Sequence, residues 1–110
     1  MLDVKNKRKF LRRICRVPVM SRRGGVFENG QTRDISQGGI GLFSNTFVPL
    51  GTNLIMEIAL SPKSEPVVAL GKVRWVQKEA YADRYKLGME FADISAVAQN
   101  RLTKYIKGEL

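Results

Sequence analysis

Residues 85–107 read YKLGMEFADISAVAQNRLTKYIK, and within this stretch the spacing of apolar side chains changes from strand-like to helix-like. Leu87, Met89 and Phe91 alternate with Lys86, Gly88 and Glu90, which predicts a strand over Tyr85–Phe91 with one buried face. From Ser95 onward, Ala98, Leu102, Tyr105 and Ile106 recur at i, i+4, i+7 and i+8 and so line one face of a helix. Ser95 can cap the first turn by accepting a backbone N–H, while Lys104 and Lys107 suit the negative end of the helix dipole. An amphipathic helix is therefore predicted over about residues 95–107.

Working back toward the N-terminus, five more strand-like segments precede this pair: Cys15–Met20, Val26–Ile35, Gly39–Ser44, Asn53–Leu60 and Val67–Gln77. Arg22-Arg23-Gly24-Gly25 reads as a turn, Gly51 bounds the fourth strand, and Pro62–Pro66 reads as a loop because each proline fixes its own φ. Six strands and a terminal helix, without βαβ alternation, predict an all-β fold: a six-stranded antiparallel barrel carrying a C-terminal α-helix. At 110 residues the chain suits one domain, expected over 14–110, with residues 1–13 as a flexible basic N-terminal arm.

Composition removes whole classes of function. Cys15 is the only cysteine and there is no histidine, so no intrachain disulfide, His-based triad or ordinary zinc site is possible; Cys15 reads as a small buried hydrophobe. There is no GxxxxGK[ST] loop and no carboxylate pair beside a nucleophile, so the chain is read as not an enzyme, with neither metal nor cofactor. No apolar run approaches the roughly 20 residues of a membrane span, and no secretory signal is recognisable, so a cytoplasmic location is the default expectation. The net charge of +9 calls for an anionic partner, and the densest run is KNKRKFLRR at 5–13. By composition alone, that run equally describes a solvated tail or an amphipathic turn lying on nucleic acid or lipid.

Two motifs narrow the choice. Arg8-Lys9-Phe10-Leu11-Arg12 is an RxxxR segment ahead of the first strand, and Asp34-Ile35-Ser36-Gln37-Gly38-Gly39 is a DxSxxG pattern between the second and third strands. Together with Val17-Pro18-Val19, Gly71–Val76 and Leu87–Phe91, they resemble the PilZ family of cyclic di-GMP receptors across nearly the whole chain. Arg12 and Arg16 also satisfy RxxxR, but Arg8 and Arg12 are preferred because that pair precedes the strand instead of overlapping it.

The resemblance implies a PilZ-type barrel that binds cyclic di-GMP through Arg8, Arg12, Asp34, Ser36 and Gly39, orders its arm on binding, and signals to a downstream protein partner. The residue types suit the task. A guanidinium fork can donate to guanine O6 and N7 together and also stack on a purine; Asp34 offers acceptors to guanine N–H groups, and Ser36 a hydroxyl. Gly39 would permit close backbone approach. Taken alone, DxSxxG also describes a plain turn in which Asp34 and Ser36 bond nearby backbone. A basic residue such as Lys7 before the RxxxR accompanies two stacked ligand molecules in similar domains. Trp75 is assigned to core packing, and Lys9 and Arg13 to solvated charge.

Two rival readings share the charge: a basic barrel on RNA or DNA, disfavoured because few strand aromatics offer stacking, so that no specific nucleic acid is expected, and a PilZ scaffold without ligand. Base identity separates them. Adenine replaces the O6 acceptor with an N6 donor, so cyclic di-AMP should bind far more weakly than cyclic di-GMP, and added salt should weaken both while leaving most of the ratio intact. Titrating both dinucleotides and a short random RNA at two salt concentrations checks this; equal dinucleotide affinities, or tighter RNA binding, contradict it.

Overall fold

The computed structural model describes residues 11–23 and 26–109. Seven strands and one helix follow in order: β1 Arg12–Ile14, β2 Pro18–Arg23, β3 Val26–Ser36, β4 Gly39–Ser44, β5 Asn53–Ile58, β6 Val67–Lys78, β7 Tyr85–Ile94 and α1 Ala96–Ile106. All pairings are antiparallel. Six strands run β3-β2-β5-β6-β7-β4 and close through a β3–β4 pairing, leaving β1 as an additional strand on β3. The expected six-stranded antiparallel barrel with a C-terminal helix is the fold observed.

Period-two alternation builds the core. Leu54, Met56 and Ile58 of β5, Val67, Ala69 and Val73 of β6, and Leu87 and Met89 of β7 all point inward and are buried. Ala98 and Leu102 of α1 join the same core. The helix contacts β3 and β6, which are opposite one another in the closed order, so it lies across one end of the barrel. Ser95 caps it as expected, accepting the Ala98 N–H at 3.1 Å. Among the described residues, no helix is long and apolar enough to cross a membrane.

The N-terminal boundary differs from the sequence reading. Pairing begins at Arg12, so the expected division between residues 13 and 14 falls inside β1, and the strand expected over Cys15–Met20 is paired instead over Pro18–Arg23. Ile14 faces Asp34 and Pro18 faces Gln31, so three residues, Cys15–Val17, oppose two, Thr32 and Arg33. That is a β-bulge, and the fully buried Thr32 spans it. Its hydroxyl accepts the Val17 N–H at 3.0 Å and donates to the Cys15 carbonyl at 2.6 Å. A side chain thus completes a ladder that backbone alone leaves open.

Thr32→Val keeps the shape and removes both bonds, stranding a buried N–H at a cost of about 1–3 kcal/mol. Urea denaturation should show that loss for Thr32→Val and a smaller one for Thr32→Ser, which retains the hydroxyl.

Candidate functional site

Two further bulges shape one wall of the barrel. Thr32 faces Leu42 while Asp34 faces Gly41, so Arg33 is the extra residue of β3; Val73 faces Met89 while Trp75 faces Gly88, so Arg74 is the extra residue of β6. A strand without bulges sends consecutive side chains to opposite faces. Here Arg33 and Asp34, and likewise Arg74 and Trp75, all reach the same outer cleft of about 350 Å³. Arg12, Ser36, Gly39, Gly41, Gly88 and Glu90 complete most of its lining.

Four of the five residues singled out from the motifs therefore meet in one place: Arg12, Asp34, Ser36 and Gly39. Arg8, the fifth, lies outside the described residues, as does Lys7. The alternative partner Arg16 does not line this cleft; its guanidinium stacks 4.4 Å from the Phe43 ring centroid.

Asp34 is the electrostatic centre of the cleft. Its Oδ2 lies 3.6 Å from Arg12 Nη1, and it accepts from Arg33 Nε at 3.3 Å. A carboxylate this buried needs cationic partners, and two guanidinium groups supply them. Gly41 leaves the room, since a Cβ there would stand 3.0 Å from Asp34 Oδ1. Arg33 also sits 5.2 Å from the centroid of the Trp75 ring, a cation–π distance.

Ser36 and Gly39 have structural duties. The Ser36 hydroxyl accepts the Gly39 N–H at 3.1 Å and donates to the Gly39 carbonyl at 3.2 Å, closing the β3–β4 turn. A Cβ on Gly39 would fall 2.0 Å from the Met89 carbonyl oxygen, so the close approach that needs glycine is to β7. This is the local-turn chemistry that DxSxxG permits by itself.

Two expectations are corrected. Trp75 is not core packing: the bulge at Arg74 turns it outward, where it is 38% exposed over Gly88, whose missing Cβ would meet the indole at 1.9 Å. Arg13 is not a solvated charge: its Nη1 donates to the Tyr105 carbonyl at 2.7 Å. Arg33, Arg74 and Glu90 were not anticipated as cleft residues; Arg74 Nη2 donates to Glu90 Oε1 at 2.6 Å across the β6–β7 pair. The only signal for Arg33 was its place beside Asp34, and strict alternation assigns that place to the opposite face.

No curated protein sequence matches significantly. Solved structures do match. The Bacillus subtilis inhibitor of motility MotI/DgrA superposes with a TM-score of 0.79 at 20% identity, over 93% of this chain and 50% of that one. The PilZ domain of Escherichia coli YcgR with c-di-GMP gives 0.76 at 13% identity, over 93% and 90%. The K. pneumonia MrkH–c-di-GMP complex gives 0.73 at 18% identity, over 91% and 51%. The chain thus spans about half the length of MotI/DgrA and MrkH and most of the YcgR domain. The PilZ domain family model matches residues 6–108, and with that match over almost its full length the chain belongs to the PilZ domain family.

Proposed function

We propose that this domain is a receptor for cyclic di-GMP and not an enzyme, holding the dinucleotide against the outer wall of the barrel in the cleft of Arg12, Asp34 and Trp75. The observation that carries the reading is the meeting of Arg12, from the RxxxR segment, with Asp34, from DxSxxG, at 3.6 Å in an open cleft. Two structural neighbours are described in complex with c-di-GMP, which supports the same ligand here.

Each group has a role in this proposal. Arg12, joined by Arg8, donates to guanine O6 and N7 or to phosphate, Asp34 accepts from guanine N–H groups, and Trp75 offers a face for stacking. Ser36 and Gly39 set the turn that presents them. Ligand binding orders the N-terminal segment over the cleft, changing a surface that a protein partner can read. Lys7 favours two stacked ligands, because added positive charge offsets repulsion among four phosphates.

A related protein, MrkH, is described as a c-di-GMP-dependent transcription regulatory factor, which argues against excluding nucleic acid on family grounds. The cleft is accordingly assigned to the dinucleotide alone, and the random RNA measures any affinity for nucleic acid.

Calorimetry with cyclic di-GMP gives affinity and stoichiometry together. Arg8→Ala or Arg12→Ala should each cost about 1–3 kcal/mol of binding while the barrel stays folded, and parental affinity in either variant removes that arginine from the site. One ligand per chain would remove the role given to Lys7. Gly88→Ala should displace the indole and weaken binding, with Trp75 emission changing on titration of the parent chain; an unaltered Kd for Gly88→Ala would take Trp75 out of the site.

A further inference from the structure

Both halves of the binding motif are fastened to α1. On one side, Arg13 donates through Nη1 to the Tyr105 carbonyl at 2.7 Å, with its guanidinium 4.2 Å from the Tyr105 ring centroid. On the other, Gln37, in the turn between Ser36 and Gly39, donates through Nε2 to Thr103 Oγ1 at 2.9 Å, and its carbonyl accepts from Gln99 Nε2 at 3.0 Å. Three residues of α1, Gln99 in its first turn and Thr103 and Tyr105 toward its C-terminus, therefore receive the arginine segment and the DxSxxG turn together.

The Arg13 contact is chemically well matched. Tyr105 carries one of the last carbonyls of α1, which accepts the Gly108 N–H at 3.0 Å and has a second lone pair for Arg13, and a cation there also meets the negative end of the dipole. Burial first, and Cys15 next, push the Tyr105 phenol up against the opposing pull of Arg13. The ring is neutral near neutral pH, and the guanidinium meets it as a cation–π pair.

Arg12 needs such an anchor. Its strand is only three residues long, and its 3.6 Å approach to Asp34 is an ion pair longer than a good hydrogen bond. Arg12 and Arg13 are consecutive on β1, so fixing one side chain to the helix fixes the direction of the other. We propose that Arg13 is a positioning residue: by clamping β1 to the last turn of α1, it holds Arg12 beside Asp34, and α1 becomes the frame that aligns the two halves of the site. This rests on the cyclic di-GMP reading of the cleft.

The test is a double-mutant cycle measured by calorimetry with cyclic di-GMP, with thermal unfolding of every variant. Arg13→Ala should weaken binding about tenfold, within the usual range for coupling between sites. In an Arg12→Ala background, the same change should alter affinity by less than about twofold, because nothing remains to be positioned. Amide exchange at Lys107 and Gly108 should slow on ligand binding in the parent and not in Arg13→Ala. Should Arg13→Ala fail to fold, Arg13→Lys, which keeps a donor but loses the planar stack, carries the same cycle with a smaller first step. Parental affinity in the Arg13 variants overturns the proposal. So does an equal loss with and without Arg12, since that marks a general effect of charge or folding. A parent chain that binds no cyclic di-GMP overturns the reading of the cleft itself, and the positioning role falls with it.

Discussion

The structure depends on β3 being paired with three other strands. β2 runs opposite its first half, β1 opposite its last three residues, and β4 closes the barrel along Gln31–Ile35. A strand held on both edges while the sheet curls into a closed barrel must bend sharply, and β-bulges supply the bend. Both irregularities along β3 fall at Thr32–Arg33. The inward side chain at that point, Thr32, repairs the ladder with its hydroxyl, while the extra residue, Arg33, is turned outward onto Asp34. Closure of the barrel and assembly of the cleft are thus consequences of the same local geometry.

That origin explains why motif residues divide into two kinds. Ser36 and Gly39 make the strand junction: one closes the turn on itself, and the other lets β4 lie against the backbone of β7. Arg12 and Asp34 instead form an ion pair in the cleft, the carboxylate buried and the guanidinium reaching it from the exposed side. Gly41 and Gly88 belong with the first kind, since each makes room for a cleft side chain, the carboxylate of Asp34 and the indole of Trp75 respectively. The short motifs of this chain therefore encode the shape of the wall as much as the charged groups that line the cleft.

The order of strands and the terminal helix were legible because periods of two and 3.6 residues need only local sequence, and Leu87, Met89, Ala98 and Leu102 obey them. The RxxxR and DxSxxG resemblance likewise located Arg12, Asp34, Ser36 and Gly39, which share the cleft. What local pattern could not supply was register. β1 is three residues long with side chains exposed on one face, leaving no hydrophobic alternation to read. Sequence pattern places Trp75 inward and hides Arg33 because a bulge shifts the alternation by one residue, and nothing in the composition of VRWV or TRDI marks where that shift occurs. Arg13 looks solvated from local sequence because its partner, a helix carbonyl, lies 92 residues away in sequence.

Charge is distributed to match this division between frame and recognition. Within the described cleft, Arg12, Arg33 and Arg74 oppose Asp34 and Glu90, leaving one net positive charge. Residues 1–13 carry six lysines and arginines against Asp3, a formal +5 of the +9 of the chain. A cleft so nearly balanced pulls only weakly on a ligand with two phosphodiester charges at distances beyond about 10 Å, where salt screens what remains. In the proposed receptor it discriminates at contact instead, because Asp34 and its arginines are already aligned. Attraction over longer range then falls to the N-terminal segment, whose charge is dense. In the proposed receptor, the segment that draws the anion is thus the segment that Arg12 joins to the cleft. The two tasks meet at β1, which makes the anchoring of those three residues to α1 the point where capture is converted into fit.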